Sequence, residues 1–150
     1  MKILANDVIQ TLKAGDFASQ TFKIGKATLK KADGTGADEA FNYLKTAVNQ
    51  HGIAEAVINV NKDVVIKLQS NVINLPLLYP AAVEADQEYD LNVYAVIEAE
   101  KINSSHLRID QIGTADDLLN DNPDLRLNFR DWVKEQFERL DQPAAKSTTE

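Results

Sequence analysis

The chain has no cysteine, one tryptophan, one methionine, four prolines and two histidines in 150 residues. Without thiols it has no disulfide, no thiolate zinc site and no cysteine nucleophile. His51 and His106 stand far apart, neither with an i,i+4 histidine partner, so the two-histidine helical metal motif is missing. No hydrophobic run approaches the ~20 residues that cross a bilayer, and the apolar stretch 75–83 is broken by Pro76 and Pro80. After Ile3, Leu4 and Ala5 the chain turns polar at Asn6 and Asp7, too early for a signal-peptide core. The expectation is a cytoplasmic protein that makes no membrane contact.

What is present suits one globular unit. The chain is 44% hydrophobic and 26% charged, a balance typical of a folded domain. Residues 1–141 are expected to form it. Residues 142–150, with nothing apolar larger than alanine and proline, form a flexible tail. The net charge of −7 is spread unevenly. Residues 1–31 hold six lysines against two aspartates, +4; residues 32–83 carry −2 and residues 84–150 carry −9. Overall acidity therefore excludes a uniformly basic binder and leaves a basic first fifth.

Periodicity places the elements. Val8, Ile9 and Leu12 line one face of a short helix at 7–14, capped by Asn6 and stopped at Gly15. Residues 20–31 read as a strand whose apolar parity switches at Gly25, as at a bulge. Ala40, Phe41, Leu44, Ala47 and Val48 form the buried stripe of a helix over 38–51, ended by Gly52. Strands follow at 54–60 and 64–69, joined by the turn Asn61-Lys62-Asp63; the second is expected to continue through Val72 and Ile73. Two more are expected at 89–102 and 106–112. Thr114 and Asp117 make a capping box for a short helix. A last amphipathic helix at 128–141, capped by Asn128, buries Phe129, Trp132, Val133, Phe137 and Leu140.

The fold class is therefore α+β, with about five mostly antiparallel strands. Two arrangements fit that order: an OB-like, partly open barrel, or a mixed sheet in which 20–31 and 54–60 run parallel across the helix between them.

The motifs that carry chemistry fall short. Gly34-Thr35-Gly36 precedes a helix as a dinucleotide loop does, but Glu39 replaces the third glycine. Asp38 and Glu39 would also set two carboxylates where a pyrophosphate binds. Gly25-Lys26 lacks both the upstream glycine and the following hydroxyl residue of a phosphate loop. The run Asp116, Asp117, Asn120, Asp121, Asn122 and Asp124 departs from the EF-hand pattern at its sixth and twelfth places. Ser104-Ser105-His106 is contiguous, whereas a triad is assembled in space. Glu98 and Glu100 share a strand face and read as surface charge. No cofactor, metal ligand or catalytic residue is expected.

The remaining expectation is a non-enzymatic interaction or assembly protein acting through protein–protein contacts, self-association included. Its candidate surface is the apolar segment around Leu77, Leu78 and Tyr79. The alternative is a single-stranded nucleic-acid module, with Lys23, Lys26, Lys30 and Lys31 on a basic strand beside the rings of Phe22 and Tyr94.

Overall fold

A computed structural model of the chain describes residues 2–4, 18–31, 36–70, 88–101 and 104–141. The expected helix at 7–14, the strand continuation at 72–73, the segment 75–83 and the tail at 142–150 lie outside the described residues.

Seven strands and four helices are described: β1 (Lys2–Leu4), β2 (Ala18–Lys23), α1 (Lys26–Leu29), α2 (Asp38–His51), β3 (Ala54–Asn61), β4 (Val64–Gln69), β5 (Glu88–Asp90), β6 (Asn92–Lys101), β7 (Ser104–Thr114), α3 (Ala115–Leu119) and α4 (Pro123–Asp141). Five strands make one open sheet in the order β2-β3-β4-β6-β7. β2 and β3 run parallel, with α2 as their crossover, and every other neighbour is antiparallel. This is the mixed α+β arrangement. β1 and β5 form a separate two-stranded antiparallel pair.

The helices form where local chemistry favours them. α2 buries its stripe from Ala40 to Val48 completely or nearly so. It ends where Gly52, at φ 79°, takes a left-handed conformation and donates to the Val48 carbonyl at 2.9 Å. The α3 capping box is present: Thr114 Oγ1 accepts from the Asp117 amide at 3.1 Å, and Asp117 Oδ2 accepts from the Thr114 amide at 3.0 Å. The β3–β4 hairpin is closed by Asn61 Oδ1, which accepts from the amides of Asp63 and Val64.

Several boundaries differ from the periodicity. The strand expected over 89–102 divides at the buried Leu91, whose carbonyl accepts from the Ala115 amide at 3.0 Å, into β5, paired with β1, and β6; the strand expected over 106–112 runs from Ser104 to Thr114. The strand expected over 20–31 ends at Lys23, and the chain turns into α1. Gly25 is extended at its N-cap, and the Leu29 amide donates to the Gly25 carbonyl at 3.1 Å. The parity switch at Gly25 thus marks a helical turn that carries Leu29 into the core. Lysine, alanine and leucine are good helix formers, and nothing at Gly25 calls for a bulge. The last helix begins five residues before Asn128, with Pro123 at its first position and Asn122 Oδ1 accepting from the Asp124 amide at 3.0 Å. Asn128 sits inside α4, where its Nδ2 donates to the Ile112 carbonyl of β7 at 3.0 Å.

α2, α3 and α4 all pack on one face of the sheet. There Ile58, Ile66, Leu68, Val93 and Ile97 meet Phe41, Leu44, Phe129 and Val133. Phe41 and Phe129 meet edge to face at 5.4 Å between centroids, and Phe129 stacks on Trp132 at 6.1 Å. Arg126 of α4 ties this layer to the start of α2 through Asp38, Nε to Oδ1 at 2.9 Å.

Candidate interaction surface

Strand alternation sends every second residue to the other face of the sheet, which none of the described helices covers. The register arranges its side chains in three rows. The first is polar: Ser19, Glu55, Gln69, Tyr94 and Gln111. Ser19 Oγ and Gln69 Nε2 both donate to the Glu55 carboxylate, at 3.1 and 3.0 Å. The second row is Thr21, Val57, Lys67, Val96 and Ile109, and the third is Lys23, Asn59, Val65, Glu98 and Leu107. Lys67 Nζ lies 3.4 Å from Glu98 Oε2, bridging these two rows.

The middle of this face is mixed: Lys67 stands in the second row on the central strand, and its neighbour Val96 is fully buried. Val57, Val65 and Ile109 are half-buried, and Leu107, at 53% exposure, is the one large hydrophobic residue strongly exposed among the described residues. Two shallow grooves meet at Val65. One, of about 480 Å³, is lined by Lys23, Gly25, Asn59, Asn61 and Lys62. The other, of about 460 Å³, is lined by Asp63, Glu98, Glu100 and Leu107. The surface around Val65 is thus flanked by Lys23 on one side and by Glu98 and Glu100 on the other, with Lys62 lining both grooves.

The residues expected to hold nucleic acid are dispersed. Phe22 turns to the helix side, 5.9 Å from the Tyr43 ring, and packs against the core. Lys26 Nζ is 3.1 Å from Asp141 Oδ2 and 4.9 Å from the centroid of the Phe137 ring. Lys30 and Lys31 are exposed after α1. Lys23, on the edge strand β2, and Tyr94, on β6, share the open face in different rows, three strand spacings or about 14 Å apart across the sheet and farther still along the diagonal. Leu77, Leu78 and Tyr79 lie outside the described residues.

The acidic run has local duties. Asp117 completes the α3 cap and accepts from Asn122 Nδ2 at 3.0 Å, and Asp121 pairs with Lys45 Nζ at 2.7 Å. Gly36, from the glycine loop, lies against α1: a Cβ added there would be 1.7 Å from the Thr28 carbonyl oxygen. Close packing is the role the structure shows for this glycine.

Sequence reasoning passed over Val57, Val65, Ile109 and Leu107. For Val57 and Val65 the signal is in the short runs Ala56-Val57-Ile58 and Val64-Val65-Ile66, which are apolar at both parities; Leu107 and Ile109 show as apolar positions alternating with Arg108 and Asp110, without a sign of which face is covered. Such runs mark strands with two apolar faces.

On the helix side, Asp110 of β7 joins the sheet to α4. Its Oδ2 accepts from Trp132 Nε1 at 2.8 Å and from Arg108 Nε at 2.7 Å, and Arg139 acts on it from α4. Partial burial pushes its carboxyl pKa up. The Trp132 and Arg108 hydrogen bonds, with the charges of Arg108 and Arg139, outweigh that and hold it below the usual carboxylate value. A depressed folded-state pKa contributes stability that is fully present above the unfolded value of about 4 and is lost as pH falls toward the folded one. Trp132→Phe removes one donor, so its unfolding midpoint in urea falls less between pH 5 and pH 3 than that of the parent. Parallel slopes in circular-dichroism titrations would contradict this.

The chain matches no protein-family model, no curated protein and no solved structure.

Proposed function

We propose that this chain is a non-enzymatic interaction module that binds a protein partner on the open face of its sheet. The observation that supports this reading is the apolar surface on that face, where Leu107, at 53% exposure, lines the same groove as Val65. Apolar centres ringed by polar groups are how protein interfaces are built. The polar first row then forms one side of the rim, and the Lys67–Glu98 pair, among the apolar residues, orients the partner.

Val65→Glu tests the reading. The side chain is half-buried on the open face, outside the main core, so the variant retains its fold by circular dichroism. Immobilised parent protein retains a specific partner, identified by mass spectrometry, and the variant loses it. Equal retention by both proteins refutes the assignment to this face. A labelled single-stranded oligonucleotide titrated at low salt tests the nucleic-acid alternative, for which the groove with Lys23 and Lys62 is the supporting feature. Flat fluorescence anisotropy excludes it.

A further inference from the structure

We infer that β7 is a docking edge for a second copy of this chain, pairing antiparallel with itself about Ile109. β7 is the terminal strand of the five-stranded sheet; it has 11 residues and no proline. An edge of this kind presents unpaired backbone groups and invites another strand.

The hydrogen-bond parity shows which groups face outward. The Glu100 amide donates to the Asp63 carbonyl at 3.1 Å, so 63 and 100 are a hydrogen-bonded pair. By alternation, so are 65 with 98 and 67 with 96. The backbone of Val96 therefore points to β4, and Ile109, opposite Val96, directs its own N–H and C=O away from β6. Ser105, Leu107 and Gln111 do the same. Beyond Gln111 the ladder shifts register, and the Ile112 carbonyl accepts from Asn128. Ile109 lies within this outward ladder of 105–111.

Charge selects the register. With Ile109 opposite its own copy, Arg108 faces Asp110 of the other chain twice over, in non-hydrogen-bonded pairs where side chains stand closest. The neighbouring register of the same parity sets Arg108 against itself. The groups facing this pair from α4 are Trp132, Glu135 and Arg139. The two-fold product is a closed dimer with one ten-stranded sheet, in which Ile109 meets its own copy across the join and Leu107 stands opposite Gln111 of the other chain. This proposal is separate from the partner-binding reading: its test reads mass, not partner capture, so each can fail alone.

Sedimentation velocity at increasing concentration is expected to show a species of twice the 16.6 kDa chain mass. Arg108→Asp and Asp110→Arg each remain monomeric, because like charges then face each other across the join. Their equimolar mixture regains the doubled mass, although neither chain has regained its internal Arg108–Asp110 pair. Where a charge variant fails to fold by circular dichroism, Ile109→Cys decides. Paired Cα atoms about 5.5 Å apart fall within disulfide reach, so mild oxidation links this otherwise cysteine-free chain into dimers, while Thr21→Cys on β2 stays monomeric. A monomeric parent, charge variants that still dimerise, or no link at position 109 overturns the proposal.

Discussion

Replacing Phe129 with alanine is expected to lower the free energy of unfolding by about 3–5 kcal/mol, a large part of what a single domain has. The ring is 2% exposed and stands between two others, edge to face with Phe41 and stacked on Trp132. Truncation removes the apolar transfer term and leaves a cavity where α2 meets α4. The aromatic geometry adds a further increment. Neighbours are unable to close the gap, because Phe41 is held by α2 and Trp132 by its bond to Asp110. Urea unfolding followed by circular dichroism measures the change, and the near-ultraviolet signal of Trp132 weakens with it. A loss below about 1 kcal/mol would show that this aromatic cluster does not anchor the two helices. Phe129→Leu, which keeps most of the volume, costs less than about 1.5 kcal/mol.

Gly36→Ala is expected to destabilise by about 1–3 kcal/mol or more, as forced overpacking does. The new Cβ meets the Thr28 carbonyl oxygen at 1.7 Å and the Thr28 carbonyl carbon at 2.6 Å, both backbone atoms that a side-chain rotation leaves in place. Relief requires α1 to move away from the start of α2, which disturbs Leu29 in the core. Gly25→Ala is the internal control. Nothing lies within 4 Å of a Cβ there and φ is −72°, so reduced freedom of the unfolded chain offsets the poorer N-capping of alanine and the net change is small. A clear loss at Gly36 beside a small change at Gly25 in urea unfolding bears out the packing role of Gly36. Equal effects would contradict it.

Two of the boundary differences have one physical origin. At Gly25 and at Asn128, local sequence was compatible with two outcomes and a distant partner selected one. Leu29 has a place in the core only if the chain turns helical, and Asn128 is free to bond the Ile112 carbonyl because Asn122 and Pro123 start α4. The candidate surface was barely legible for the same reason. Val57, Val65 and the pair Leu107 and Ile109 belong to three different strands, and only pairing register brings them onto one face. The basic first fifth, continuous in sequence, divides in space: Lys26 is held by Asp141, 115 residues away, while Lys23 reaches the open face.

By itself, the sequence determined what depends on short-range periodicity and capping. The buried stripe of α2, the Gly52 stop, the Thr114–Asp117 box and the β3–β4 turn are all set by residues within a few places of one another. The missing cysteines removed a whole set of chemistries before any fold was known. Tertiary structure alone decided strand order, the parallel β2–β3 pair, which face of the sheet the helices cover, and which strand is left at the edge. Those choices rest on contacts between residues far apart in the chain. A shift of one residue in register exchanges the two faces of a strand, and local pattern cannot specify it where both faces are apolar.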